Sequence, residues 1–176
     1  LREISLSGEA YFKVAKENTR PFCVRSGEYC LKVYGTEFNL NTYDEENIEA
    51  VLVKGSVGFQ ANEAAPEKRL KVNQLGVANS KAGTSVIQDV DVTSYIAWKN
   101  HDLIFVNEEL ESIMKKVSRW YDVNIIFEDE VSKAVRFNGN IPKYAELEKL
   151  LYVMEKTSDV RFRITDKTIR ITKRKK

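Results

Sequence analysis

The sequence predicts a mixed fold. An all-β N-terminal domain, a sandwich or a solenoid-like stack of short strands, is followed by a small α+β domain in which two helix-strand repeats pack on a sheet. Three observations carry this expectation. Over residues 1–88 apolar residues recur at every second position, the period of a half-buried strand. Near residue 103 the pattern becomes a mixture of periods 2 and 3.6. Beyond that point one phrase occurs twice, 37 positions apart. Leu110, Ile113, Met114 and Val117 precede Asp122-Val123 and then Ile125 and Phe127. Leu147, Leu150, Leu151 and Met154 precede Asp159-Val160 and then Phe162 and Ile164. Each copy is one apolar helix face followed by one apolar strand face, and the two need each other for burial.

The elements follow in order. Ile4 and Leu6 alternate with Arg2, Glu3 and Ser5 in the opening run. The clearest strands are Tyr11–Val14, Phe22–Arg25, Tyr29–Tyr34, Phe38–Asn41, Ile48–Val53 and Val57–Gln60, separated by turn residues such as Ser7-Gly8, Gly35-Thr36 and Lys54-Gly55-Ser56. Asn62 to Lys68, with Pro66, reads as a loop, after which Leu70–Val72 and Leu75–Val77 resume the strand pattern. Residues 89–102 read as a connector containing Trp98, a large ring expected to pack between domains. The C-terminal domain, 103–176, begins with a strand at Leu103–Val106. Asn107 is expected as the N-cap of the first helix, with Glu108, Glu109 and Glu111 in its first turn. Strands are expected at Val123–Phe127 and Val135–Ile141, the latter with a bulge or close contact at Gly139 and an end at Pro142. The second helix is expected over Tyr144–Lys156, and a final hairpin pairs Val160–Ile164 with Thr168–Ile171 across Asp166-Lys167.

Composition excludes several classes. With 43% hydrophobic and 31% charged residues the 176-residue chain should fold, and it has neither a transmembrane run nor a signal sequence. It opens on Leu1, already in an alternating run, and so reads as a piece of a longer protein. The net charge of +2 is uneven: residues 103–176 carry 16 Lys or Arg against 12 Asp or Glu, and the remainder 12 against 14. Lys173-Arg174-Lys175-Lys176 reads as a solvated basic tail. Aromatic and basic residues are not interleaved as a stacking platform, so no nucleic-acid partner is expected.

No catalytic set is visible. His101 is the only histidine, and one histidine without a second or a nearby cysteine is a poor metal ligand. It also leaves any serine nucleophile without a recognisable base. Neither metal nor cofactor is expected, and the acidic runs Asp44-Glu45-Glu46 and Glu128-Asp129-Glu130 read as solvated turns. Cys23 and Cys30 lie opposite one another if Ser26-Gly27 is the hairpin turn, and diagonally if it is Gly27-Glu28. A disulfide and two buried thiols both remain open. The exposed face of the final hairpin, with Arg161, Arg163, Thr168, Arg170 and Thr172, is the expected partner-binding surface, because an unpaired strand edge can accept another chain. A competing class, a carbohydrate-binding or structural cell-surface β-domain, would line a sugar groove with Tyr11, Tyr29, Tyr34 and Tyr43.

Four segments in order carry a resemblance: Leu6–Val14, Val33–Asn39, Val51–Val57 and Leu70–Gly76. They are similar to the successive motifs of the FecR-type anti-sigma factor domain. The remainder, with Trp98, Leu103–Phe105, Arg119–Val123 and the repeat, resembles the C-terminal domain of Bacteroidota members, itself similar to the short N-terminal domain of secretins and TonB-dependent transducers. The resemblance implies the periplasmic region of a regulator anchored in the inner membrane, a transmembrane sensor. Its implied partner is the signalling domain of a TonB-dependent outer-membrane transporter for iron chelates or glycans. An extracytoplasmic-function sigma factor would be held by a part absent from this chain, and the membrane would be reached only through an absent anchor.

Overall fold

The computed structural model describes every residue except Leu1, Asn18, Glu28, Glu45, 61–64, Ser80, Lys143, Lys175 and Lys176. Parts of the loop expected at Asn62–Lys68, of the two-residue turn after Ser26, of the Asp44–Glu46 run and of the basic tail therefore lie outside the described residues. The chain divides into two compact units, Leu1–Ile96 and Ala97–Lys176.

The first unit contains β1 (Arg2–Ser5), β2 (Glu9–Lys13), β3 (Phe22–Ser26), β4 (Tyr29–Val33), β5 (Glu37–Asn41), β6 (Asn47–Lys54), β7 (Val57–Phe59), β8 (Lys68–Leu70), β9 (Gln74–Asn79), β10 (Thr84–Asp89) and a short helix α1 (Val92–Ile96). They form two five-stranded sheets, ordered β1-β3-β4-β7-β8 and β10-β9-β6-β5-β2. One core is drawn from both: Val24, Leu31, Val33, Val57 and Phe59 from the first sheet, and Phe38, Leu40, Ile48, Ala50 and Leu52 from the second. None of these is more than 3% exposed, and burying a large aliphatic or aromatic side chain of this kind contributes about 1.5–3 kcal/mol. The shared core makes the unit a sandwich. Its hairpins nevertheless go to the two sheets alternately, β3-β4 and β7-β8 to one, β5-β6 and β9-β10 to the other, which is why a winding stack was equally legible. Tyr29 ties the layers together. Its ring is buried, and its hydroxyl, with one proton to donate, lies within hydrogen-bond reach of the carbonyls of Glu46 (2.7 Å) and Ala78 (3.0 Å).

Two differences from the sequence expectation have local causes. The strand expected at Leu70–Val72 ends at Leu70, because the Gln74 side chain accepts from the Lys71 amide (2.9 Å) and closes a turn in which Asn73 takes φ 66°. Strand β10 was not expected, since its residues are mostly exposed and its pairing with β9 is what makes it a strand. The β3-β4 register pairs Cys23 with Lys32 and Arg25 with Cys30, so Cys23 and Cys30 are diagonal neighbours. They are joined by a disulfide, with Cα atoms 6.0 Å apart.

Two of the crossings between sheets are made by glycines. Gly35, with φ 128°, passes the chain from β4 to β5, and a Cβ there would stand 2.6 Å from the Lys16 Cα. Gly55, with φ 94°, passes it from β6 to β7, and its Cβ would stand 2.6 Å from the Gly35 carbonyl oxygen. The two turns are thus stacked on each other, locked by Thr36 Oγ1 donating to the Ser56 carbonyl (2.8 Å). Gly35→Ala should therefore cost about 3 kcal/mol in urea unfolding. Gly27→Ala, at φ 54° with nothing within 4 Å, should cost only about 1 kcal/mol. Equal losses at the two sites would contradict the stacked-turn account.

The second unit opens with a 3-10 turn (Ala97–Asn100), then β11 (Asp102–Glu109), α2 (Leu110–Tyr121), β12 (Asn124–Phe127), α3 (Glu130–Lys133), β13 (Arg136–Pro142), α4 (Leu147–Lys156), β14 (Val160–Thr165) and β15 (Thr168–Lys173). Both copies of the repeat are present. Leu110, Ile113, Met114 and Val117 of α2 are fully buried with Leu150, Leu151 and Met154 of α4, against Val160, Ile169 and Ile171. A separate two-stranded sheet, β11-β13, adds Leu103, Phe105 and Phe137 to the same core.

Asn107 does not cap α2. It lies in β11 with φ 48°, where two residues of β11 stand opposite one of β13, and its amide donates to the Asn138 side chain (2.8 Å). The N-cap is Glu109, without a side-chain cap bond, so of the three expected glutamates only Glu111 stands in the first turn. The bulge is on β11 rather than at Gly139, which simply faces Phe105. Helix α4 starts three residues later than expected, at Leu147.

The acidic run at 128–130 is structural as well as solvated. Asp129 is the N-cap of α3: its carboxylate accepts from the Ser132 hydroxyl and amide and from the Lys173 amide, all at 2.7 Å. These bonds, that from the Ser132 hydroxyl foremost, lower its pKa from 3.8 to about 2. Asp129→Ala should cost about 1–2 kcal/mol near neutrality. Because the folded pKa is depressed, that contribution is fully present above about pH 4 and lost as pH falls through about 2. Urea melts of wild type and variant should differ at pH 7 and converge at the acid end; a constant gap would assign the loss to packing.

Candidate protein-docking surface

The three-stranded sheet of the second unit has the order β12-β15-β14, so the last strand of the chain is the central one. β15 runs parallel to β12, with Ile126 opposite Arg170, and antiparallel to β14, with Arg163 opposite Arg170. Both of its ladders are occupied. On one side the amides of Asn124 and Glu128 donate to the carbonyls of Lys167 (2.7 Å) and Ile171 (2.8 Å). On the other, the hairpin closes on Thr165 and Thr168 around Asp166, at φ 51°, and Lys167. At its far end Arg174 N–H donates to the Asp159 carbonyl (2.6 Å).

These two ends fix the phase of the hairpin. In an antiparallel ladder every second pair exchanges both hydrogen bonds, so Arg161, Arg163 and Thr165 direct their backbone groups to β15. Phe162 and Ile164 direct theirs outward, and among the described residues no partner takes them. β14 is therefore an edge strand, as β12 is on the other side of β15.

The sequence-expected binding residues are split by this order. Arg161 and Arg163 stand on the edge strand, exposed, on the face of the sheet away from Ile169 and Ile171. Thr168, Arg170 and Thr172 share that face but lie on the central strand, so the expectation that Arg170 sits at an edge is corrected. Arg170 also has an acidic neighbour, Glu128, at 3.7 Å. Beside the edge lies an open cleft of about 350 Å³ that sequence reasoning missed, lined by the last turns of α4 (Tyr152, Glu155, Lys156), by Arg161, Phe162 and Arg163, and by Arg174. Lys156 Nζ stands 5.3 Å from the Tyr152 ring centre. Only a helix-end-to-strand juxtaposition, which periodicity does not encode, creates it.

The other singled-out residues do not gather here. Trp98 is half-buried in the 3-10 turn. His101, exposed at φ 65°, has its ring centre 5.8 Å from that of Tyr144. Of the four tyrosines of the sugar-groove alternative, Tyr29 is buried and Tyr11 donates to Glu37 (3.0 Å), which leaves Tyr34 and Tyr43 about half-exposed. Among the described residues no three His, Cys, Asp or Glu side chains are grouped to hold a metal, and no helix is long and apolar enough to cross a membrane.

The chain joins a β-sandwich to a unit of helices packed on an open-edged sheet. Two family models match it, one described as FecR protein over residues 2–58 and one as FecR, C-terminal, over 102–171. The chain belongs to the FecR family of anti-sigma factors. Two crystal structures of a candidate anti-sigma factor from Parabacteroides distasonis ATCC 8503, at 1.65 and 2.50 Å, share its fold. They superpose with TM-scores of 0.84 and 0.83 at 24% identity, covering 98% and 99% of this chain and 81% of theirs. No curated protein matches the chain.

The order of strands yields a direct test. Arg170→Pro removes a ladder donor from the central strand and should destabilise the second unit by about 2 kcal/mol or more in chemical unfolding. An Arg170→Pro variant as stable as wild type would contradict the central placement of β15.

Proposed function

We propose that the chain is the signal-receiving periplasmic region of an anti-sigma factor anchored in the inner membrane. It contacts the signalling domain of a TonB-dependent outer-membrane transporter, and through parts outside this chain it regulates an extracytoplasmic-function sigma factor. The observation that carries this is the match of FecR models to both units, in the order FecR and then FecR, C-terminal. The open strand edge of the second unit supports it, because an edge is suited to receiving another folded domain. Contact between two folded domains of this kind needs a surface and no chemistry.

The test is binding of the 176-residue chain to isolated signalling domains of TonB-dependent transporters from the same genome, by co-purification and calorimetry. One of them should form a one-to-one complex, and a panel of glycans should give no binding. If none of the signalling domains binds while a glycan does, the chain belongs to the sugar-recognition class instead.

A further inference from the structure

We infer that the cleft beside β14 takes an extended acidic segment of a partner protein, added as a fourth strand to the sheet. As a docking mode for an outside protein it rests on the receiving role proposed above. Three independent features meet here. The backbone groups of Phe162 and Ile164 point outward from an edge strand with no described partner, so a second chain can continue the ladder. The cleft is lined by three consecutive residues of that strand and takes apolar surface from Phe162 and Tyr152, with Ile164, on the same strand, 39% exposed. Its charge is one-sided: Lys156, Arg161, Arg163 and Arg174 against Glu155 alone.

Alternation dictates what fits. Successive side chains of an added strand fall on opposite faces of the sheet. One set meets Arg161 and Arg163, and the other meets Phe162 and Tyr152. The occupant is a segment in which acidic and apolar residues alternate. A second copy of this chain is disfavoured in the same position, because β14 against β14 sets arginine rows side by side, and like charges across strands are destabilising. The arginines thus keep the edge from self-association and select an acidic partner.

The probe is an acetylated peptide of alternating valine and glutamate, about eight residues long, a common strand length. Its binding to the whole chain is read by fluorescence anisotropy, beside a valine-lysine peptide of equal length. The glutamate peptide should bind at least tenfold more tightly, with an advantage that falls as salt rises. Ile164→Pro removes an outward donor and no ladder bond, so the protein should fold, as circular dichroism will verify, yet lose at least tenfold in affinity. The double variant Arg161→Glu, Arg163→Glu should invert the peptide preference. Equal binding of the two peptides, or unchanged affinity in folded Ile164→Pro, overturns the inference. The same variants are run against the transporter signalling domain that binds. A domain that binds and ignores Ile164→Pro overturns strand addition and leaves the receiving role standing. Peptide recognition with no signalling domain bound supports the cleft and removes that role.

Discussion

The second unit depends on where its last strand goes. β15 inserts between β12 and β14, the strands that end the two helix-strand repeats, and buries Ile169 and Ile171 under both helices. Without it the repeats would have two short strands and no sheet to share. Its insertion also leaves the strands of both repeats on the outside, β14 being the one beside the cleft. The edge that can accept a partner is therefore a product of the same pairing that closes the core, and it cannot be removed without rebuilding the sheet.

The electrostatics of that edge follow from the pleat. Because Phe162 must join the core, its neighbours Arg161 and Arg163 are carried to the opposite face, where nothing covers them. Two acidic side chains of this unit are committed elsewhere, and Glu155 alone lines the cleft: Asp129 caps α3 and holds the end of β15, and Glu128 stands by Arg170. The surplus of positive charge on the C-terminal half, visible in composition as a mere excess, is thereby concentrated at a strand edge. The sandwich unit shows the complementary case. Its stacked glycine turns fix two crossings between sheets, and the Cys23–Cys30 disulfide ties the β3-β4 hairpin within one sheet.

Much of this was legible from residue pattern alone. The 37-residue offset gave both helices and their buried positions, and Asp166-Lys167 gave the register of the final hairpin. Strand order was not legible, because Thr168–Thr172 alternates in the same way whether its strand is central or outermost, and the parallel partner β12 is more than 40 residues away. Asn107 illustrates a second limit. Asparagine favours both an N-cap and a left-handed bulge, and only the packing of β11 against β13 decides between them. Helix α3 and the capping role of Asp129 were hidden because an acidic run between strands looks like a solvated turn. The docking cleft was hidden most deeply, since its two walls come from the end of α4 and from β14, and no single period spans them.

Residue-resolved amide exchange, on the free chain and on its complex with a partner domain, tests the edge most directly. In the free protein Arg161 and Arg163, bonded to β15, should exchange orders of magnitude more slowly than Phe162 and Ile164 beside them. On complex formation Phe162 and Ile164 should become protected as well. Uniform protection along β14 in the free chain, or no change at Phe162 and Ile164 in the complex, would contradict the account.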